Sequence, residues 1–146
     1  TAGRITGERK KSSASSTDRR IFSYAYYPSG PMAGLLQTIN DPRPVTFTLA
    51  YDDFRRLATR TATGTIASRN QSLAYNYDPR GILTSVSQSG GDQAASTINR
   101  TVSPYGQITN EATTLDGTTT SISQTWDAAG RRTSLNSGMG FQPMFE

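Results

Sequence analysis

The chain has 146 residues, of which 34% are hydrophobic, and it carries a net charge of +4 from 15 Lys and Arg against 11 Asp and Glu. That apolar share sits below the about 45–50% usual in soluble domains, a figure that also counts Gly, so a thick helical core is not expected and thin β-layers suit the composition better. With no Cys and no His in the sequence, Ser-His-Asp and Cys-His nucleophile systems, Cys- or His-ligated zinc, iron–sulfur clusters and disulfide scaffolds are excluded.

The predicted elements follow a repeat. Large residues alternate along Phe22-x-Tyr24-x-Tyr26, Phe47-x-Leu49-x-Tyr51, Leu73-x-Tyr75-x-Tyr77, Ile98-x-Arg100-x-Val102 and Ile122-x-Gln124-x-Trp126. Alternation of this kind marks half-buried strands. Between them lie small or polar residues such as Ser23, Ala25, Thr46, Thr48, Ala74, Asn76, Ser123 and Thr125, which should line the opposite face. The last residue of each run falls at 26, 51, 77, 102 and 126, in steps of 25, 26, 25 and 24. A fixed period in this range is the mark of a repeat architecture.

Each run leads into a turn, clearest in Asp78-Pro79-Arg80-Gly81 and Asp127-Ala128-Ala129-Gly130, with Asp52 opening a third. A carboxylate at the first position accepts backbone N–H groups two residues on, Pro presets φ, and Gly takes φ > 0, so the unit reads as a hairpin with a bulge. Asp52, Asp78, Gly81, Asp127 and Gly130 are therefore structural turn residues. Three departures stand out: Tyr27 replaces the first Asp, Arg55 stands where Gly is expected, and Val102-Ser103 replaces the aromatic-Asp pair. Return strands follow at Ile82 to Val86, Ile108-Thr109 and Arg132 to Leu135.

One repeat array is expected over 1–146, with no second domain. It comprises a partial repeat at 1–6, a loop at 7–18, and repeats at about 19–41, 45–64, 71–90, 95–117 and 119–138, in all about ten strands whose lone hairpins need their neighbours for stability. The chain starts inside a repeat, since Gly3-Arg4-Ile5-Thr6 matches the second half of the unit, with Gly3 set against Gly30. It reads as a piece of something longer, with sheet edges open to association.

The aromatic-Asp-x-x-Gly-Arg-Leu-Thr unit resembles that of the RHS/YD-repeat family. The resemblance rests on Tyr51-Asp52, Tyr77-Asp78 with Gly81, Trp126-Asp127 with Gly130-Arg131, and Gly3-Arg4-Ile5-Thr6. It implies an all-β fold, a repeat array of antiparallel β-hairpins forming a curved, spiralling sheet. In bacterial members that sheet is a secreted shell around a toxic polypeptide, and in animal relatives it belongs to cell-surface adhesion proteins. It also implies that the partner is the rest of the parent chain or an enclosed polypeptide, and that the parent is secreted or at a cell surface. Bacterial members often carry a self-cleaving aspartate; Asp52-Asp53 is the one candidate pair here.

The function expected is a non-catalytic structural segment that encloses or displays another polypeptide, with no cofactor and no metal. The alternative is an adhesion module that stacks glycans on Tyr24, Tyr26, Tyr75, Tyr77 and Trp126; packing within the wall is the reading we favour for those rings. Asp52, Asp78 and Asp127 could offer oxygen ligands to calcium, but turn capping accounts for them. Arg9, Lys10, Lys11, Arg19 and Arg20 form the densest basic patch and read as a solvated loop, with no recognition helix or RNA-binding aromatic signature and so no specific nucleic acid. No stretch approaches the length of a membrane-spanning helix.

Overall fold

The structure, a computed structural model, describes residues 3–11 and 19–138. Among these the regular structure is β throughout, apart from one turn of 3₁₀ helix at Ala67–Arg69. The chain divides into two compact units, where the sequence reading expects a single array: one extends to Ser72 and takes in Gly90–Asp92, and the other is Leu73–Ser89 with the chain from Gln93 onward. Division is natural in a repeat array, whose members contact only their neighbours.

The first unit holds β1 (Gly7–Lys11), β2 (Arg19–Tyr26), β3 (Leu36–Asp41), β4 (Val45–Tyr51) and β5 (Leu57–Gly64). Each pairs antiparallel with the next in chain order. The second unit holds β6 (Gln71–Tyr77) from Leu73 on, then β7 (Leu83–Ser89), β8 (Ser96–Val102), β9 (Ile108–Leu115), β10 (Thr118–Trp126) and β11 (Arg132–Ser137). From β7 to β11 every pairing is again antiparallel between chain neighbours. The β9–β10 connection is the two-residue Asp116-Gly117, both at positive φ (48° and 76°), the conformation that matches strand twist in a tight hairpin.

One expectation is corrected in the first unit. Residues 7–11 were expected within a loop, on their charge and departure from the repeat, but they form β1, with Glu8 opposite Phe22 and Arg9 opposite Ile21. Strand pairing uses backbone N–H and C=O groups, and charged side chains leave those free to pair. The rest of that expected loop, 12–18, lies outside the described residues, as do the side chains of Lys10, Lys11, Arg19 and Arg20.

Cross-strand register sorts the side chains onto two faces. In the first unit Phe47 stands between Ile39 and Ala62, and Leu49 opposite Arg60, whose guanidinium lies 4.5 Å above the Phe47 ring. The reverse face carries Thr38, Thr48 and Thr61 in one row and Asn40, Thr46 and Thr63 in the next. There the Asn40 amide donates to Ser23 Oγ (3.2 Å) and accepts from the Thr46 hydroxyl (2.9 Å). In the second unit one face aligns Val86, Ile98 and Thr113 beside the Arg100–Glu111 ion pair (2.6 Å). Its reverse carries Ser87, Thr97, Thr114 and Thr119.

Neither unit builds a closed core. Among the described residues only Ala62 and Asp41 are buried, at 8% and 7% exposure. Asp41 caps its own turn, accepting the backbone N–H and the guanidinium of Arg43 (2.8–3.0 Å).

Candidate functional site

The recurring chemistry sits at the hairpin turn. At Asp52, Oδ1 accepts the backbone N–H groups of Phe54 (3.0 Å) and Arg56 (2.9 Å), while Oδ2 accepts Arg56 Nε (2.7 Å). At Asp78, Oδ1 takes the N–H of Arg80 and of Ile82 (both 2.9 Å) and Oδ2 takes Arg80 Nε (2.8 Å). At Asp127 the donors are Ala129, Arg131 and Arg131 Nε (2.9, 2.9 and 2.7 Å). Each turn is closed by an N–H three residues on donating to the Asp carbonyl: Arg55 (2.8 Å), Gly81 (2.9 Å) and Gly130 (3.0 Å). That closing residue has positive φ, 89° at Gly81 and 79° at Gly130, a backbone conformation that disfavours any residue with a Cβ, even at Gly130 where the Cβ itself would have room.

The departures keep this frame. Arg55 adopts φ of 64° in place of Gly, and its Nη2 donates to the Ala33 carbonyl of the preceding turn (3.2 Å). Ser103 takes the Asp position: its Oγ accepts the N–H groups of Tyr105 and Gln107 (both 3.2 Å) and donates to Gln107 Oε1 (3.0 Å). Ser and Gln thus replace Asp and Arg as a neutral pair. The first repeat differs more. Tyr27 N–H donates to the Leu35 carbonyl (2.9 Å), and the closing residue is Gly34, which donates to the Tyr27 carbonyl (2.9 Å) and has φ of 85°. The expected match of Gly3 with Gly30 is therefore corrected to Gly34, because four inserted residues lengthen the turn.

These bonds set the carboxylate charge. At Asp52 partial burial pushes the pKa up, but the Arg56 backbone N–H, its guanidinium and the Phe54 N–H together hold it below 3.8. Asp78 is lowered first by the Ile82 N–H, against an opposing effect of burial, with Arg80 adding to the lowering. Asp127 is lowered first by the Arg131 N–H and then by its side chain. Each carboxylate sits in its own turn, and the described residues contain no group of three or more Asp, Glu, His or Cys side chains fit to hold a metal ion.

A bulge precedes each observed marker residue. Register shifts fall between Ala25 and Tyr26, Ala50 and Tyr51, Thr101 and Val102, and Thr125 and Trp126. The kink aims the marker ring at the preceding repeat, where its polar atom finds a backbone carbonyl. Tyr26 OH donates to Ile5 (2.8 Å), Tyr51 OH to Leu36 (2.9 Å), and Trp126 Nε1 to Ile108 (2.9 Å). Ile5, Leu36 and Ile108 each lie two residues after a turn glycine, Gly3, Gly34 and Gly106. The markers are thus struts between repeats, which alternation alone did not reveal. Burial raises the pKa of the Tyr51 hydroxyl, helped by Tyr27, whose ring meets it edge-on at 6.1 Å and whose OH donates to the Leu49 carbonyl (2.9 Å).

Of the rings proposed to stack glycans, Tyr24, Tyr26, Tyr75, Tyr77 and Trp126 are all half-buried. Tyr24 OH donates to Glu8 Oε2 (3.3 Å). Exposed aromatics occur instead at the turn tips, Phe54 at 76% and Tyr105 at 88%. Arginine joins neighbouring turns: Arg80 Nη1 donates to the Ser103 and Pro104 carbonyls (2.9 and 2.6 Å). Between that turn and the next lies an open cleft faced by Tyr105, Gln107, Gln124 and Trp126.

Antiparallel hairpins closed by an aromatic-Asp-x-x-Gly turn and strutted one to the next define a fold of the RHS type. Solved structures bear this out. A crystal structure of TcdB2-TccC3-Cdc42 matches 84% of this chain with a TM-score of 0.62 at 15% identity, and one of TcdB2-TccC3-TEV matches 83% with a TM-score of 0.63 at 16% identity. The matched parts are 6% and 7% of those chains, so this chain corresponds to a small fraction of their length. No protein-family model matches this chain, and no curated protein does. No helix among the described residues is long and apolar enough to cross a membrane, which leaves strands unaddressed.

Proposed function

We propose that this chain is a non-catalytic structural segment of an RHS/YD-repeat β-shell that encloses or displays another polypeptide, as in toxin encapsulation and delivery, in a parent protein that is secreted or at a cell surface. The observation that carries the reading is the strut system: Tyr26, Tyr51 and Trp126 each spend their one polar side-chain atom on the preceding repeat. A sheet held together strand to strand can extend without thickening its core, which suits a wall. The turn carboxylates are ionised and fully engaged by their own loops, which supports a structural role over a catalytic one. The same use of the aromatics supports packing over glycan stacking.

Limited proteolysis of the intact parent protein tests this. An internal polypeptide should be shielded from protease, and Tyr51→Ala with Trp126→Ala should remove the shielding by loosening the wall. Asp52→Asn and Asp53→Asn should leave the parent's processing unchanged. A parent in which no polypeptide is protected, or whose processing stops with either Asn variant, overturns the reading.

A further inference from the structure

The cleft beside Trp126 has a counterpart in the first unit that is filled. There Arg4 follows the turn glycine Gly3, and its guanidinium lies 5.5 Å over the Tyr26 ring. It reaches the next turn so closely that a Cβ placed on Gly34 would collide with Arg4 Nη2. In the second unit Gln107 follows Gly106, Trp126 replaces Tyr26 as the strutting ring, Ile108 supplies the carbonyl as Ile5 does, and Gly130 takes the place of Gly34. Gln107 is shorter and neutral, and its Oε1 is held by Ser103 (3.0 Å). Its Nε2 lies 3.6 Å from where a Cβ on Gly130 would stand, without the overlap that Arg4 makes. Guanidinium groups lie over Tyr26, Phe47 and Phe54, and among the described residues none lies over Trp126.

We propose that this cleft is a guanidinium site that receives an arginine side chain from another polypeptide, stacked on Trp126 as Arg4 stacks on Tyr26. Trp is the strongest aromatic partner for a cation, and a planar guanidinium can stack while its N–H groups reach acceptors around the rim. Of the polar groups lining the cleft, the Thr109 hydroxyl donates to the Thr101 carbonyl (3.1 Å) and keeps its lone pairs for an incoming N–H, whereas Gln124 Oε1 already accepts Arg132 Nη1 (3.3 Å) and the Thr125 hydroxyl is bonded to those of Thr133 and Ser134 (2.8 and 2.6 Å). The ionised Asp127 stands on one wall, although Arg131 offsets part of its charge. Unlike the enclosing role, this site lies wholly within the second unit.

Trp126 is the one tryptophan in the chain, so its fluorescence reads the cleft directly. N-acetyl-arginine amide, titrated into the protein, should change that emission saturably. N-acetyl-citrulline amide, its neutral isostere, and N-acetyl-lysine amide should bind about tenfold more weakly or not at all. In Gln107→Arg the new side chain should occupy the site, so that emission starts at the arginine-bound value and no longer responds. A non-saturating response, an equal response to citrulline or lysine amide, or an unchanged titration in folded Gln107→Arg would overturn the proposal. The comparison of the three amides on the unaltered protein decides the matter even if the variant fails to fold.

Discussion

Replacing Tyr51 with Phe isolates one strut. The change keeps the ring, its edge-on contact with Tyr27 at 6.1 Å and the strand register, and removes only the hydroxyl that donates to the Leu36 carbonyl at 2.9 Å. A neutral hydrogen bond of this kind contributes about 1 kcal/mol net, because unfolding returns both groups to water. The Tyr51 side chain is half-buried, which also raises the pKa of its hydroxyl, so the bond should not fall to the low end of that range. With a urea m-value of about 2 kcal/mol/M, the unfolding midpoint followed by far-UV circular dichroism should drop by about 0.5 M. Tyr105→Phe is the control, since Tyr105 is 88% exposed and no hydrogen bond of its hydroxyl figures in the turn; its effect should stay within about 0.5 kcal/mol. Equal midpoints for Tyr51→Phe and Tyr105→Phe would refute the strut, and with it the claim that the marker aromatics tie repeat to repeat.

The turn carboxylates predict acid sensitivity. Their folded pKa values lie below the ordinary 3.8, so their contribution is complete above that value and is lost as pH falls through the lowered ones. Thermal midpoints measured from neutral pH downward should therefore fall on the acid side, and Asp127→Asn should flatten part of that fall; an unchanged profile would count against the ion-paired turn. The two left-handed positions should respond with opposite signs. Gly130→Ala, at φ of 79°, should destabilise by about 1 kcal/mol. Arg55→Gly, at φ of 64°, should stabilise by about 0.5 kcal/mol, since strain relief exceeds the added chain entropy and the weak bond to Ala33. Urea titration distinguishes these outcomes. Arg80→Met should cost about 1 kcal/mol by releasing the Ser103 and Pro104 carbonyls together with the Asp78 carboxylate, and Arg80→Lys should recover little, since a lysine has a single nitrogen and cannot hold Asp78 through Nε and Nη2 while Nη1 reaches both carbonyls.

The period, the hairpins and the opposed faces were legible in the sequence because one turn chemistry, Asp followed three residues later by Gly, recurs in register with one alternating strand. Where that chemistry is rewritten, the signal weakens although the structure does not. Ser103 and Gln107 reproduce an Asp–Arg turn with neutral groups, so residue type hides a shared geometry. Arg55 holds a left-handed conformation that nothing in its own type announces. In the first repeat four extra residues move the closing glycine from Gly30 to Gly34, a shift that a fixed period conceals. β1 was hidden for another reason, since its charges say nothing against backbone pairing. The struts were out of reach for a deeper one: Tyr51 and Leu36 are partners across repeats, and no local pattern encodes which carbonyl a hydroxyl will meet.

That last point bears on why the markers are Tyr and Trp where Phe or Leu would fill a strand as well. With only Ala62 and Asp41 buried among the described residues, burial of apolar side chains supplies little of what a closed core would provide. Half-exposed rings gain from packing against neighbouring strands, yet packing is non-directional and would tolerate slippage of one hairpin against the next. A hydroxyl or indole N–H aimed at one backbone carbonyl is satisfied in one register alone, and slipping by a single residue would turn every side chain to the other face. Val102 marks the contrast, since it keeps the bulge but has no polar atom with which to reach back. There Arg80 joins the adjoining turns through the Ser103 and Pro104 carbonyls, so a directional bond at the turn accompanies the missing one at the strand. A sheet that must hold its register without a core has reason to place such a bond between neighbouring repeats.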